Sequence, residues 1–291
     1  ENDPSRLYTD TLEYNTGTHI AEIVDRTLIV GRDGDIVTTS GNYNTETGKA
    51  NLYSRSTVKM RRGNTLTGDT IDYSRDTGIG VAFGRVIVTD SARQSSIEGD
   101  YAYYNEIIDS VFVTGRAVAK EYSRGDTLYL HGDTINAYTD PIDSARITNA
   151  FHYVRFFRSD MQGLCDSLSF VDLDSTLYMY RSPVVWNADR QIFGNTIELL
   201  LNDSTVERAL LPDFGFIAEH IAEDCYNQLT GKKITAWFKD SELNHLEVEG
   251  NLMMIMFPME NDSTYNKFAY IESTNMDAYF KNNTLDNGLI W

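Results

Sequence analysis

Gly68-Asp69-Thr70-Ile71-Asp72-Tyr73, a polar turn from Ser74 to Gly78, and Val81-Ala82-Phe83-Gly84-Arg85-Val86-Ile87-Val88 make up a unit that recurs along the chain. A Gly followed by apolar–polar alternation returns at Gly99, Gly132, Gly163, Gly194 and Gly231, in steps of 31, 33, 31, 31 and 37 residues. A second marker, Gly84, Gly115 and Gly250, runs in phase with the first and precedes another β-forming run. A period of this length marks one supersecondary unit used repeatedly.

Each unit holds about two runs of roughly 5–8 residues rich in Val, Ile, Tyr, Phe and Thr. Turn signals separate them, as at Ser74–Gly78, Asp172–Ser175, Asn202–Ser204 and Lys239–Ser241. Connections this short reverse the chain, so the expected class is all-β, a long antiparallel meander of hairpins without crossover helices. The uninterrupted period predicts one continuous domain over residues 1–291. Expected strands include Leu7–Tyr14, Leu128–Leu130, Ile135–Tyr138 and Leu252–Phe257. The last is apolar on both faces, which predicts burial on both. Ile217–Cys225 reads as strand and loop.

With 41% hydrophobic residues, 18 Tyr, 13 Phe and only 5 Pro, the 291-residue chain has the composition of a folded core. A net charge of −18 and a pI near 4.6 exclude a nucleic-acid footprint and disfavour an anionic membrane surface. The acidic surplus lies in turns (Asp69, Asp76, Asp133, Asp172, Asp174, Asp203 and Asp240), where it reads as a solvated surface. Cys165 and Cys225 are too few for a disulfide framework or a zinc site, and one bridge between them is left open. The longest apolar run, Leu252–Phe257, is far short of the ~20 residues of a membrane helix. The chain opens on a strand of the repeat and reads as a mature chain or a piece of a longer one.

No GxSxG elbow, P-loop, HExxH or paired CxxC occurs, so neither enzyme, cofactor nor metal is expected. Glu219-His220 with Glu223, Asp224 and Cys225 is the one ligand-like cluster, but strand neighbours point to opposite faces. Asp172 and Asp174 lack the Gly and Glu of a calcium loop. Arg124-Gly125-Asp126 carries no weight. What remains is the alternation: Ile71, Tyr73, Phe83, Val86 and Val88, then Leu128, Leu130, Ile135, Val154 and Phe156, give each strand one apolar face. Such a face is either ordinary core or the wall of a groove for an apolar ligand. A meander this long must also close, fold over or stack on another chain at its edges.

The stretches LTGDTIDYSRDTGIGVAFGRVIVTD (66–90), GDYAYYNE (99–106), YSRGDTLYLHGDT (122–134), VRFFRSDMQGLCDSLSF (154–170), NDST (202–205), YNQLTGK (226–232) and VEGNL (248–252) carry a family likeness. With them the chain resembles, over almost its whole length, the OstA-like proteins. These are related to the lipopolysaccharide-transport component LptA and the N-terminal domain of LptD, in the form typical of Bacteroidetes-type Gram-negative bacteria. The resemblance implies an antiparallel β-jellyroll, a folded-over sheet of V-shaped section whose interior receives lipid A acyl chains. It implies a place in the periplasm, including association with the outer membrane. It also implies end-to-end strand pairing with other Lpt-type jellyrolls or further copies of this chain, and carriage without a bond made or broken. Members of this type carry further repeats ahead of the part seen here, so the resemblance implies a fragment. An acidic carrier would hold its ligand by burying acyl chains, at about 0.8 kcal/mol per CH₂, rather than by phosphate contacts. The competing expectation is an envelope scaffold that pairs through its edges and has a closed, packed interior.

Overall fold

A computed structural model describes residues 5–31, 34–60, 63–122, 125–202, 205–222, 224–258, 265, 267–281 and 284–291. Arg124, Asp203, Ser204 and Glu223, all named above, lie outside the described residues, as does the turn segment Arg32-Asp33. Among the described residues the secondary structure is entirely β, every described strand pairing is antiparallel, and no peptide bond is cis. The sheet is partly ring-closed without forming a regular barrel. The chain divides into two compact units, residues 1–123 with 127–150, and residues 124–126 with 151–291.

Unit 1 begins with short strands: β1 (Arg6–Tyr8), β2 (Leu12–Asn15), β3 (Ile20–Ile23), β4 (Thr27–Gly31) and β5 (Gly34–Thr38). Next come β6 (Gly41–Asn44), β7 (Lys49–Leu52), β8 (Ser56–Lys59), β9 (Thr65–Gly68) and β10 (Thr70–Ser74). Four long strands complete it: β11 (Ile79–Asp90), β12 (Ser95–Asn105), β13 (Ser110–Glu121) and β14 (Leu128–Thr139). The boundary between the units falls within β15 (Arg146–Arg158).

The short strands of unit 1 do not form a simple meander. They pair in two ladders, β2–β3–β6–β7–β10 (ladder A) and β1–β4–β5–β8–β9 (ladder B). Both ladders end on β11, A on Ile79–Phe83 and B on Ile87–Thr89. The expected strand Leu7–Tyr14 is therefore split between β1 on ladder B and β2 on ladder A. The meander prediction holds for β11–β14, which run through both ladders. Likewise Leu128–Leu130 and Ile135–Tyr138 are two halves of one strand, β14, because Gly132 marks a corner rather than a reversal.

These corners are the structural content of the repeat. Register shifts sit between Phe83 and Val86, Glu98 and Tyr101, and Thr114 and Ala117. Such bulges bend a strand sharply. Gly84 and Gly115 take φ of 71° and 77°, and Arg85 and Arg116 follow at 44° and 55°. Alternation runs through the β11 corner unbroken: Gly80, Ala82, Val86 and Val88 point inward, while Phe83, an odd number of residues from each of them, points out and is 48% exposed. On the inner side, a Cβ on Gly80 of ladder A would lie 2.8 Å from Leu66 of ladder B. The two ladders thus face each other across one core.

Unit 2 repeats the plan. Its strands are β16 (Met161–Val171), β17 (Thr176–Tyr180), β18 (Val184–Asn187), β19 (Arg190–Gly194), β20 (Thr196–Leu201) and β21 (Val206–Leu211). They continue with β22 (Gly215–Ala222), β23 (Cys225–Gly231), β24 (Lys233–Lys239), β25 (Glu242–Met256), β26 (Ala269–Lys281) and β27 (Thr284–Ile290). Ladder A is β16–β17–β20–β21–β24 and ladder B is β16–β18–β19–β22–β23, and both rejoin on β25. β25 turns its own corner at Gly250 and Asn251, with φ of 78° and 55°. His152-Tyr153 and Arg181-Ser182 also adopt paired left-handed conformations, without glycine. Leu252–Phe257 is not buried on both faces: Leu252 is buried, but Met253, on the opposite, outer face of the strand, is 46% exposed.

Candidate functional site

Among the described residues, the interior of unit 1 is closely packed. The inward row of ladder A nearest the open side runs Tyr43, Ala50, Tyr73, Gly80, Tyr104, Val111 on successive strands. Large rings alternate with small residues, the arrangement that lets facing layers interdigitate. The three tyrosines are 1–5% exposed. Their hydroxyls end at the lip where the turns of the two ladders meet. There Asn64 of ladder B donates to Tyr104 (2.9 Å), and Arg75 reaches Tyr43 (3.3 Å) and Ser5 (2.8 Å).

A buried ion-pair network closes the same lip. Asp109, in the β12–β13 turn and 3% exposed, accepts from Thr139 (2.7 Å) and lies 3.2 Å from Arg146. Arg93, from the β11–β12 turn, bridges Asp109 (3.4 Å) and Asp90 (2.8 Å). Because β12 is bent at its corner, its two flanking turns come within reach of one arginine. Burial pulls the Arg146 guanidinium below its ordinary value, partly offset by the Asp109 charge.

Of the candidate groove residues, Ile71, Tyr73, Val86, Val88, Leu128, Leu130 and Ile135 are buried in unit 1 at 0–8% exposure, and Val154 and Phe156 are buried in unit 2. Phe83 sits on the outer face, in edge contact with Tyr101 (ring centroids 5.1 Å apart). The space beside Tyr73 amounts to about 20 Å³, on the scale of a single water.

Unit 2 differs. The row matching the tyrosines runs Leu177, Leu199, Ala209, Ala236, Leu246, Ala278, Gly288. Ala209 is paired with Ala236, and Ala278 with Gly288, so small residues adjoin instead of alternating with large ones. At the β24–β27 end a cavity of about 230 Å³ opens between the ladders. Its floor is aliphatic: Ile192, Ile217, Leu229 and Met254 from ladder B face Leu246 and Met276 from ladder A. None of the ten candidates lines it. The signal that pointed there was the small-residue row, which local alternation does not reveal, together with the methionines of β25, which adapt to irregular space.

The rim has two characters. On ladder A it is apolar, with Phe238, Leu243, Phe280 and Leu285. On ladder B it is polar: Arg190 Nε and Nη2 reach Glu219 Oε1 at 2.9 and 2.7 Å, and Asn227 Nδ2 donates to Glu219 Oε2 at 3.2 Å. The Phe257 N–H donates to Asn227 Oδ1 (2.9 Å), fixing the amide with its NH₂ toward Glu219.

Among the described residues, no group of three or more His, Cys, Asp or Glu side chains could hold a metal ion. Both thiols are free, and burial pushes Cys165 up to about 12. Among the described residues no helix is long and apolar enough to cross a membrane. β1 and β2 each pair on one side only among the described residues, as does β27, whose residues are all exposed. No protein-family model matches the chain, and no curated protein matches it.

Proposed function

We propose that this protein is a non-enzymatic carrier of acyl chains of the lipopolysaccharide type. In this reading it is a V-shaped antiparallel β-jellyroll of the OstA/LptA kind, built from repeats of about 31 residues and working in the periplasm. The cavity of about 230 Å³ in unit 2, walled by aliphatic side chains from both ladders, carries the proposal. Its volume lies below the ~300–1,000 Å³ of pockets for drug-sized ligands, so it accommodates part of one acyl chain while the rest of the amphiphile stays outside. Each buried methylene contributes about 0.8 kcal/mol. The one-sided edges at β1, β2 and β27 offer main-chain groups for end-to-end pairing with Lpt-type jellyrolls or further copies of this chain.

The test is native mass spectrometry with lipid A beside the same molecule stripped of its acyl chains. The control is the variant Gly288→Leu, placed where an added Cβ meets nothing closer than 3.3 Å. A stoichiometric adduct with the acylated form alone, lost in Gly288→Leu, supports carriage. An adduct that survives deacylation or the filled cavity overturns it. The filled interior of unit 1 favours a second reading, an envelope scaffold that pairs by its edges. The absence of any adduct would shift the assignment to that reading.

A further inference from the structure

We infer that Arg190 and Glu219 form an exchangeable anion site at the mouth of the unit 2 cavity. Glu219 there holds the place of the anionic head of a single-chain amphiphile. The inference rests on reading the cavity as an acyl site.

Arg190 is the single cation among the described residues lining the cavity. It belongs to the inward row of ladder B nearest the lip, directly across from Glu219 in the β19–β22 register and two residues from the apolar floor at Ile192. A chain laid along that floor with its head toward ladder B brings the head to the guanidinium. Toward ladder A the head would meet Phe238, Leu243, Phe280 and Leu285, which offer no polar partner for it. The rim therefore orients an amphiphile as well as admitting it.

Arg190 is not waiting as a bare charge. Its side chain is 16% exposed and both of its described contacts fall on Glu219 Oε1, while Asn227 steadies Oε2. Glu219 is 31% exposed, so its carboxylate has solvent to turn into when it leaves the guanidinium. An incoming carboxylate or phosphate then takes the same charge-assisted bonds, its displacement of Glu219 driven by burial of the attached chain. Asn227, held by the Phe257 N–H, still presents its amide to whichever anion is bound. Glu219 thus keeps the arginine's charge paired until an anion replaces it and raises the threshold for short or weakly apolar anions.

The experiment measures binding of dodecanoate and of uncharged monolauroylglycerol to the full chain by isothermal titration. Wild type is compared with Glu219→Gln, Arg190→Gln and Arg190→Lys, with circular dichroism to confirm folding. Removing the built-in competitor should tighten dodecanoate by about tenfold, and Arg190→Gln should weaken it by about as much, the scale of one charge-assisted bond. Arg190→Lys should retain part of the affinity, and monolauroylglycerol should be unaffected by all three. Diphosphorylated against dephosphorylated lipid A, run in the same series, tells whether a phosphate uses the site as a carboxylate does. If both amphiphiles bind but the charge variants treat them alike, the anion exchange is wrong and the acyl cavity stands. If neither binds wild type, the cavity reading fails and the inference with it.

Discussion

Asp69 and Asp100 occupy the outer side of successive corners, and each is clasped by the arginine of the neighbouring corner. Arg85 meets Asp69 through Nε (3.0 Å) and Nη2 (2.8 Å), and Arg116 meets Asp100 at 3.1 and 2.6 Å. These bonds hold both carboxyls below their ordinary range. A carboxyl with a lowered folded-state pKa contributes stability above its unfolded value, about 3.9, and loses it as pH falls through the lowered value. The Tm advantage of wild type over the Asp69→Asn/Asp100→Asn double variant should therefore be small but measurable at pH 7, as solvent-exposed pairs are. It should shrink steadily below about pH 4. A gap that widened in acid would show that the pairs do not act through their charge.

At the scale of elements, the lip of unit 1 is where ladder meets ladder, and Asp109 of its polar network is buried, with the Arg146 side chain largely so. Replacing Arg146 by Met leaves Asp109 buried with one guanidinium fewer, a loss of about 3–5 kcal/mol for a broken buried pair. Tyr104→Phe removes the acceptor for Asn64 and should cost about 1–3 kcal/mol. Denaturant unfolding of the two variants checks both figures. Near-wild-type midpoints for Arg146→Met would mean that the turns stay together without the network. Arg93, with 38% of its side chain exposed, should matter less than Arg146 at 12%.

For the whole molecule, the two units predict unequal dynamics. Unit 1 closes its interior with tyrosine rings and buried ion pairs, whereas unit 2 keeps a cavity beside strands β26 and β27, and β27 is exposed throughout. Few buried apolar contacts and exposed backbone hydrogen bonds mark regions that open easily. Hydrogen exchange should show β26 and β27 losing protection well before β10–β13. An acyl ligand should slow exchange in β25–β27 and leave β10–β13 unchanged. Equal protection throughout, or a ligand effect centred on unit 1, would contradict this division.

The sequence by itself determined the class, the antiparallel pairing, the period, and the inward burial of residues such as Ile71, Val88 and Ile135. Period-2 alternation and turn chemistry are local properties, written within a few residues of one another. Only the tertiary structure decided that the Gly markers are corners rather than reversals and that the strands part into two ladders. It alone separated a filled interior in unit 1 from an open one in unit 2. Whether a row of side chains leaves space depends on neighbours more than 20 residues apart in the chain, such as Ala50 beside Tyr73 or Ala209 beside Ala236. Arg190, Glu219 and Asn227 likewise come together only through the cross-strand register, so no local pattern announces them. A void is a property of what packs together in space, and the linear order of residues carries that information only once the register is set.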